Sequence, residues 1–202
     1  SLDDSMRHSI TKLSKFHFVS TKKYLNRVVQ LGEDKKNIFN VGSISLDKLN
    51  KINSLSKIEI EKKLKISLEK KIIVCTIHPE TNNLNNINQQ IFTFLGSLMD
   101  IKETSIIFTM PNDDLGSDLI VEKIKNFCKS KKNAFHFKSL GKELYFALIR
   151  ISNLVIGNSS SGIIETPSLG TYSINLGLRQ CGRIQSNGTF NVNYNKKNIK
   201  DK

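Results

Sequence analysis

Leu154-Val-Ile-Gly-Asn-Ser-Ser-Ser-Gly-Ile-Ile-Glu165 is the stretch of sequence that decides the fold. Leu154 to Ile156 form a short apolar run that predicts a buried strand, and Ile163 to Leu169 predict a helix. The small polar residues between them, Gly157 to Gly162, predict a tight connection, which we call the serine loop. A strand that passes directly into a helix in this way is typical of α/β proteins with a parallel sheet.

The same alternation of strand and helix extends on both sides of this stretch. Strands that are apolar on both faces indicate a sheet that is covered by helices on each side. We therefore predict a Rossmann-like three-layer α/β/α domain with a mainly parallel sheet. The further strands are predicted at residues 72–77, 105–109, 134–137 and 172–176, and the further helices at residues 87–99, 119–127 and 144–151.

The first part of the chain has a different character. Residues 5–31 show near-helical apolar spacing, although residues 16–20, which are aromatic and β-branched, also suit a short strand. Residues 37–41 predict another short strand. Residues 47–70 are rich in Lys, Asn and Ser, so they predict a solvated helix or a linker.

These differences divide the chain into two parts. We assign residues 1–40 to a leading helical segment and residues 41–202 to the Rossmann-like domain. Residues 187–202 are polar and predict no core helix, so we expect the domain to lack its terminal helix. Because the beginning is abrupt as well, we expect the chain to be a piece of a longer protein.

The chain is strongly basic, with a net charge of +13 at pH 7. Such an excess suits binding to nucleic acid, an anionic membrane or an anionic small molecule. The lysines are spread along the whole sequence, however, so solvated helix faces explain most of the charge. We therefore expect neither nucleic acid nor a membrane as a partner, and we keep a non-catalytic polyanion-binding module as an alternative.

The sequence carries no signal for export, membrane insertion or metal binding. No apolar run approaches the ~20 residues of a membrane span, and Ser1-Leu-Asp-Asp4 is unlike the start of a signal peptide. Cys75, Cys128 and Cys181 lie far apart, which suggests neither a disulfide framework nor a zinc site. We expect a cytoplasmic protein without a metal site or a cofactor.

Polar residues follow each predicted strand of the Rossmann-like domain. In an open parallel sheet, the loops after the strands meet at the carboxyl edge, where ligands bind. We therefore expect these loops to converge on one crevice. They contain His78-Pro-Glu80 after the first strand, Pro111-Asn112 after the second, Ser139 after the third, the serine loop after the fourth and Gly177-Leu-Arg179 after the fifth.

The serine loop is the most informative of these segments. Three serines between two glycines let backbone N–H groups and hydroxyls approach an anion at the start of a helix, which predicts a phosphate site. An ordinary serine helix cap is the alternative. Glu165, one turn into the helix, can accept the hydroxyls of a ribose, or it can simply favour the helix N-terminus.

Three charged or titratable residues elsewhere are further candidates. His78 can bind phosphate or transfer a proton, although a single histidine is more often structural. Arg179 can pair with a diphosphate, or it can be an ordinary surface arginine. Asp3 is a candidate catalytic carboxylate, whereas capping of the first helix by Asp3 or Asp4 is the simpler explanation.

Together, these motifs resemble the UDP-N-acetylglucosamine 2-epimerase family. The similarity covers His78-Pro-Glu-Thr-Asn82, the serine loop through Glu165, and Ile174-Asn-Leu-Gly-Leu-Arg-Gln-Cys-Gly-Arg183. Asp3-Asp-Ser-Met-Arg-His-Ser-Ile-Thr-Lys-Leu13 and Val41-Gly-Ser43 resemble the hydrolysing branch, which feeds sialic acid synthesis. The resemblance implies that this chain is the second half of a glycosyltransferase-B type fold, with the active site between two Rossmann-like domains.

The resemblance also implies roles for matching residues. His78 would contact the diphosphate and support catalysis, and Asp3 would belong to the catalytic constellation, which the resemblance favours over its role as a cap. The positions that resemble substrate-binding residues are Asn112 and Ser117 for the nucleotide, Ser159 and Ser160 for the diphosphate, Glu165 for the ribose, and Arg179 as a further arginine of the site.

The reaction implied by the resemblance converts UDP-N-acetylglucosamine to N-acetylmannosamine and UDP. Anti elimination of UDP gives a 2-acetamidoglucal, to which water then adds. A UDP-sugar is thus the expected partner, and a 6-deoxy-4-acetamido relative is an alternative sugar. A non-hydrolysing epimerase and a retaining glycosyltransferase of the same fold are the rival enzyme classes. We expect the whole enzyme to be a homodimer or a larger assembly, and this fragment alone to be inactive.

Overall fold

The chain forms two compact units, Ser1–Asn50 and Lys51–Lys202. The computed structural model describes residues 2–47, 49 and 55–202, and for residues 2–4 and 81–83 it describes the backbone alone. The division predicted at residue 40 concerns the domains of a longer protein, and it stays a prediction. No helix in the described ranges has the length and apolar character that crossing a membrane requires.

The first unit contains a small parallel sheet. Its two strands pair in parallel, with His17 opposite Ile38, so the strand alternative for residues 16–20 is correct. The buried His17 ring lies 3.3 Å from the Glu33 carboxylate, which also binds Lys12 at 2.6 Å. The elements of this unit are α1 (Leu2–Leu13), β1 (His17–Val19), α2 (Lys22–Gln30) and β2 (Ile38–Asn40).

The second unit alternates strands and helices, as predicted. Its strands are β3 (Lys71–Thr76), β4 (Thr104–Thr109), β5 (Ala134–Phe137), β6 (Leu154–Gly157), β7 (Tyr172–Leu176) and β8 (Thr189–Val192). Its helices are α3 (Lys57–Leu64), α4 (Ile87–Leu98), α5 (Ser117–Ser130), α6 (Gly141–Ile151), α7 (Glu165–Ser168) and α8 (Lys196–Lys200).

The six strands form one sheet in the order β5-β4-β3-β6-β7-β8, and every neighbouring pair is parallel. This is the strand order of dinucleotide-binding Rossmann folds, in which the chain reverses its direction across the sheet between the two central strands. Here the reversal lies between β3 and β6, where Thr76 is opposite Gly157. The loops that follow these two strands therefore start side by side, at the place where such sheets bind ligands.

Helices cover both faces of the sheet. On one face, α4 packs against α5 and α8 over a core in which Phe108 makes edge contacts with Phe94 and Phe127. On the other face, α3 packs against α6. Alternate residues of β3 follow this division, since Ile73 and Cys75 belong to the first core and Ile72 and Val74 do not. The predicted three-layer α/β/α fold is confirmed.

The end of the chain differs from the prediction. The expected absence of a helix in residues 187–202 is wrong, because α8 begins at an Asn195 cap and buries Ile199. Strand β8 was not predicted either, because its residues form no apolar run. Side chains hold this edge strand in place: Ser173 bonds to Thr189 at 3.0 Å, and Asn175 Nδ2 donates to Asn191 Oδ1 at 2.7 Å.

The helix predicted at residues 163–169 is shorter than expected. The serine loop forms a 3₁₀ turn at Ser160–Gly162, and α7 then spans only four residues. Pro167 lacks a backbone N–H, and Gly170 ends the helix in the left-handed conformation at φ +80°. A helix of one turn has a small dipole, so an anion at this loop would depend on N–H groups and hydroxyls.

Candidate functional site

A fully buried asparagine, Asn158, joins the two central loops of the carboxyl edge. Its Oδ1 accepts a hydrogen bond from the His78 backbone N–H at 2.7 Å, and its Nδ2 donates to the His78 carbonyl oxygen at 2.8 Å. Its own backbone N–H donates to the Thr76 carbonyl at 3.1 Å. The start of the serine loop is thereby fixed to the loop that carries His78.

The same asparagine also binds the loops after β7 and β8. Its backbone carbonyl accepts hydrogen bonds from Arg179 Nη1 at 3.1 Å and from the buried Gln180 Nε2 at 2.8 Å. Its Nδ2 lies 3.4 Å from the Tyr194 hydroxyl. Sequence reasoning gave no role to Asn158, Gln180 or Tyr194, because their spacing shows no pattern. The one available signal was the place of Asn158 directly after a central strand.

Glu80 fixes the start of the loop that carries Arg179. Its two carboxylate oxygens accept hydrogen bonds from the Leu178 N–H and from Gln90 Nε2, both at 3.2 Å. Gly177, at φ +68°, leaves room for this contact. A Cβ atom there would lie 2.6 Å from the Tyr194 ring and closer still to the Glu80 carboxylate.

The serine loop lies against the end of β3. Ser159 caps its 3₁₀ turn, and its hydroxyl accepts a bond from the Ser161 N–H at 3.4 Å. Ser159 and Ser160 are both half-buried. The loop thus presents partly accessible hydroxyls beside the His78 loop.

Glu165 begins α7, and its Oε2 is buried without a hydrogen-bond partner in the described part of the chain. Its charge acts on Tyr145 of α6. Burial is the main cause of the raised Tyr145 pKa; hydrogen bonding to Ser161 and then to Thr76 opposes the rise, and the charge of Glu165 adds to it. Because Thr76 ends β3, Glu165 and His78 lie at the same edge of the sheet.

The other predicted residues are placed as follows. Ser117 begins α5 and is buried, and its hydroxyl donates to the carbonyl of the exposed Asn112 at 2.5 Å. That proton is used within the loop after β4, so only the oxygen of Ser117 remains to accept a bond from a ligand. Asp3 lies on α1, and its side chain is outside the described residues. The roles of all three stay predictions.

His78 is electrostatically unusual. Burial, followed by the charge of Arg179, lowers the pKa of His78 to about 4, while Asp114 acts in the opposite direction. Its Nδ1 is buried and has no hydrogen-bond partner among the described residues. At neutral pH the imidazole is therefore uncharged, with one nitrogen that donates and one that accepts. No cluster of metal-binding side chains occurs in the described ranges.

The low pKa of His78 predicts a pH-dependent stability. Between about pH 6.5 and pH 4, His78 is protonated in the unfolded chain but not in the folded chain. The contribution of His78 to the free energy of unfolding is therefore fully present above pH 6.5 and is lost as the pH falls toward 4. We expect a loss of up to about 3 kcal/mol in the free energy of unfolding. Urea unfolding at pH 7 and pH 4 should show a smaller loss for His78→Asn. The control His136→Asn changes an exposed imidazole and should follow the wild type; equal losses in all three proteins would contradict the prediction.

Comparison with known proteins gives a consistent picture. The model of the protein family described as UDP-N-acetylglucosamine 2-epimerase matches residues 1–202. A GDP/UDP-N,N'-diacetylbacillosamine 2-epimerase (hydrolyzing) of Campylobacter jejuni is 42% identical over 195 residues, which are 96% of this chain and 51% of the relative. The polysialic acid biosynthesis protein P7 of Escherichia coli is 42% identical over 191 residues, 94% of this chain and 48% of the relative.

A solved structure shows the same fold. The co-structure of Staphylococcus aureus MnaA with UDP superposes with a TM-score of 0.72 at 14% identity, over 95% of this chain and 52% of that one. This chain spans about half the length of the curated relatives that it matches.

Proposed function

The chain belongs to the UDP-N-acetylglucosamine 2-epimerase family, and from this premise we propose that it is the nucleotide-binding half of a hydrolysing UDP-N-acetylhexosamine 2-epimerase. The whole protein would convert UDP-N-acetylglucosamine to N-acetylmannosamine and UDP. We further propose that it acts in the cytoplasm as a homodimer or a larger assembly.

One observation carries the proposal. His78, the serine loop and Arg179 meet through Asn158 at the point where the strand order reverses. A diphosphate needs closely spaced donors of positive or partial positive charge, and this point offers a guanidinium, loop N–H groups and hydroxyls. Glu165 lies at the same edge and can accept bonds from a ribose.

These groups suit the departure of UDP in particular. Negative charge grows on the diphosphate as the bond to the sugar breaks, and fixed donors stabilise this charge without reorganising. The neutral His78 can donate a hydrogen bond to the departing phosphate oxygen. Removal of the C2 proton needs a base, and we assign that role to carboxylates that lie mostly outside this chain. Asp3 is proposed only as a further acidic residue of the catalytic constellation.

The sugar is proposed from the relatives. The name of the Campylobacter jejuni protein contains N,N'-diacetylbacillosamine, a 6-deoxy diacetamido sugar. The name of the Escherichia coli protein refers to polysialic acid biosynthesis. Identity to the two is equal, at 42%. We propose UDP-N-acetylglucosamine and keep the diacetamido sugar as the alternative. Incubation of the full-length protein with each of the two UDP-sugars, without an acceptor, tests which sugar is the substrate. The same experiment tests the rival enzyme class, because a glycosyltransferase should release no N-acetylmannosamine from UDP-N-acetylglucosamine.

We expect the 202-residue chain to bind UDP weakly and not to turn over the sugar nucleotide. Half of a cleft leaves the ligand partly solvated, so its charge contacts are screened. The missing base removes a further ~10²–10⁴-fold of rate. Calorimetry with UDP, paired with an assay of UDP release, measures both properties.

Uridine is the matched ligand control in this experiment, because it lacks the diphosphate and should bind more weakly than UDP. Turnover at ~1 per second or more would show that the catalytic groups are misplaced. Equal binding of UDP and uridine, or no binding of UDP at millimolar concentration by folded protein, would contradict the phosphate site. Binding to random DNA near physiological salt without affinity for UDP would support the polyanion-binding alternative.

A further inference from the structure

We propose that Asn158 is a positioning residue, whose single buried amide sets the placement of His78, the serine loop and Arg179 relative to one another. The group that supports catalysis and the groups that hold the diphosphate would then move as one. The inference deepens the proposed function and rests on it.

All the polar groups of Asn158 take part in hydrogen bonds. The side chain is fully buried, and both ends of its amide bind the backbone of one residue, His78, at 2.7 and 2.8 Å. Two antiparallel bonds to one residue fix the amide against rotation, in the manner of a base pair. The backbone N–H and C=O of Asn158 are bonded as well, to Thr76 on one side and to Arg179 and Gln180 on the other.

The contacts of the Asn158 side chain require an asparagine at this position. This position needs a planar group that carries a hydrogen-bond acceptor and a donor side by side. Only one methylene can separate that group from the backbone. Aspartate has the shape but no donor, and its charge would face the His78 carbonyl oxygen. Glutamine is one methylene longer, and serine cannot reach both groups at once.

The contacts of Asn158 join functional groups of the proposed site. The Asn158 side chain holds the His78 loop, its carbonyl holds the Arg179 guanidinium, and its C-terminal neighbour is Ser159. A buried asparagine elsewhere in the sheet, Asn175 of β7, shows the contrast. Its amide donates at 2.7 Å to Asn191, on the edge strand, and to none of the predicted site residues.

Placement by Asn158 also accounts for the environment of His78. The imidazole is held in a buried position near Arg179, and these two causes lower its pKa to about 4. Asp114 is the remaining charged group that acts on it. If the His78 loop were released, the ring would become more solvated and more distant from the guanidinium, so its pKa would rise toward 6.5.

The test compares Asn158→Ala and Asn158→Asp with the matched control Asn175→Ala in the 202-residue chain. Three quantities are measured: the pKa of His78 by NMR titration without ligand, the affinity for UDP by calorimetry, and stability by urea unfolding. We expect both Asn158 variants to raise the His78 pKa by at least about one unit and to weaken UDP binding at least about tenfold. Asn175→Ala should change stability alone.

The proposal is overturned if folded Asn158 variants keep the His78 pKa near 4 and bind UDP within about twofold of the wild type. It is also overturned if neither variant folds, since Asn158 would then be a folding requirement. Absence of UDP binding by the wild type would instead refute the proposed function. In that case the titration of His78 still decides whether Asn158 positions the imidazole.

Discussion

Replacement of Gly157 by alanine is expected to lower the free energy of unfolding by about 3 kcal/mol or more, or to prevent folding of the second unit. Gly157 lies at φ +153°, a conformation that a side chain disfavours, and it directly faces the end of β3. A Cβ atom would lie 2.7 Å from the Thr76 carbonyl carbon and closer still to its oxygen. Neither backbone can yield without breaking the pairing of the two central strands, so UDP binding should be lost as well.

Gly162→Ala provides the matched control in the same loop. A Cβ atom on Gly162 would meet only the Ser173 Cβ, at 3.9 Å, which is an ordinary contact. The free energy of unfolding of this variant should therefore lie within about 1 kcal/mol of the wild-type value. Urea unfolding followed by circular dichroism measures both variants. Equal stability of the two would mean that the close approach of β3 and β6 is not a constraint on the fold.

Glu165→Gln is expected to weaken UDP binding by about 10–100-fold, with little effect on folding. A ribose diol offers two hydroxyl donors, and a carboxylate accepts both with its charge. The amide accepts through one oxygen without charge, which removes about 1.5–3 kcal/mol. The folded chain gains little from the carboxylate, because Oε2 is buried without a partner in the described structure. Stability should therefore change by no more than about 0.5 kcal/mol.

Glu143→Gln is the control for charge alone, since Glu143 is an exposed acid in the first turn of α6. It should leave UDP affinity unchanged. Calorimetry with UDP and thermal unfolding of both variants separate binding from stability. A Glu165 variant that binds UDP as tightly as the wild type would remove Glu165 from the ribose site.

The apolar strands and amphipathic helices of the second unit could be predicted because their signal is local. Residues 72–77 form a continuous apolar run, and β3 spans Lys71–Thr76. Residues 134–137 were predicted as a strand and form β5. Periodicity reports burial on one or both faces, and burial on both faces of successive strands requires a covered parallel sheet.

The elements that were missed depend on neighbours that are distant in the sequence or on single residues that break a pattern. Strand β8 contains polar residues, and it is held by a ladder of side-chain bonds to β7 across 16 residues of sequence. Helix α7 is short because Pro167 and Gly170 interrupt it, although the apolar pattern runs on to Leu169. Packing against β7 outweighs local propensity in β8. In α7, the backbone chemistry of proline and glycine outweighs it.

The sequence by itself determined the fold class, the family and the edge of the sheet at which polar loops converge, because strand–helix alternation and loop position follow from local patterns and from the handedness of parallel crossovers. Only the tertiary structure decided which of those residues touch. The Asn158 amide bonds to His78 across 80 residues of sequence, and Glu80 reaches Leu178 across 98. No local pattern encodes such pairs, since a buried polar side chain is recognised only by the partners that fold around it.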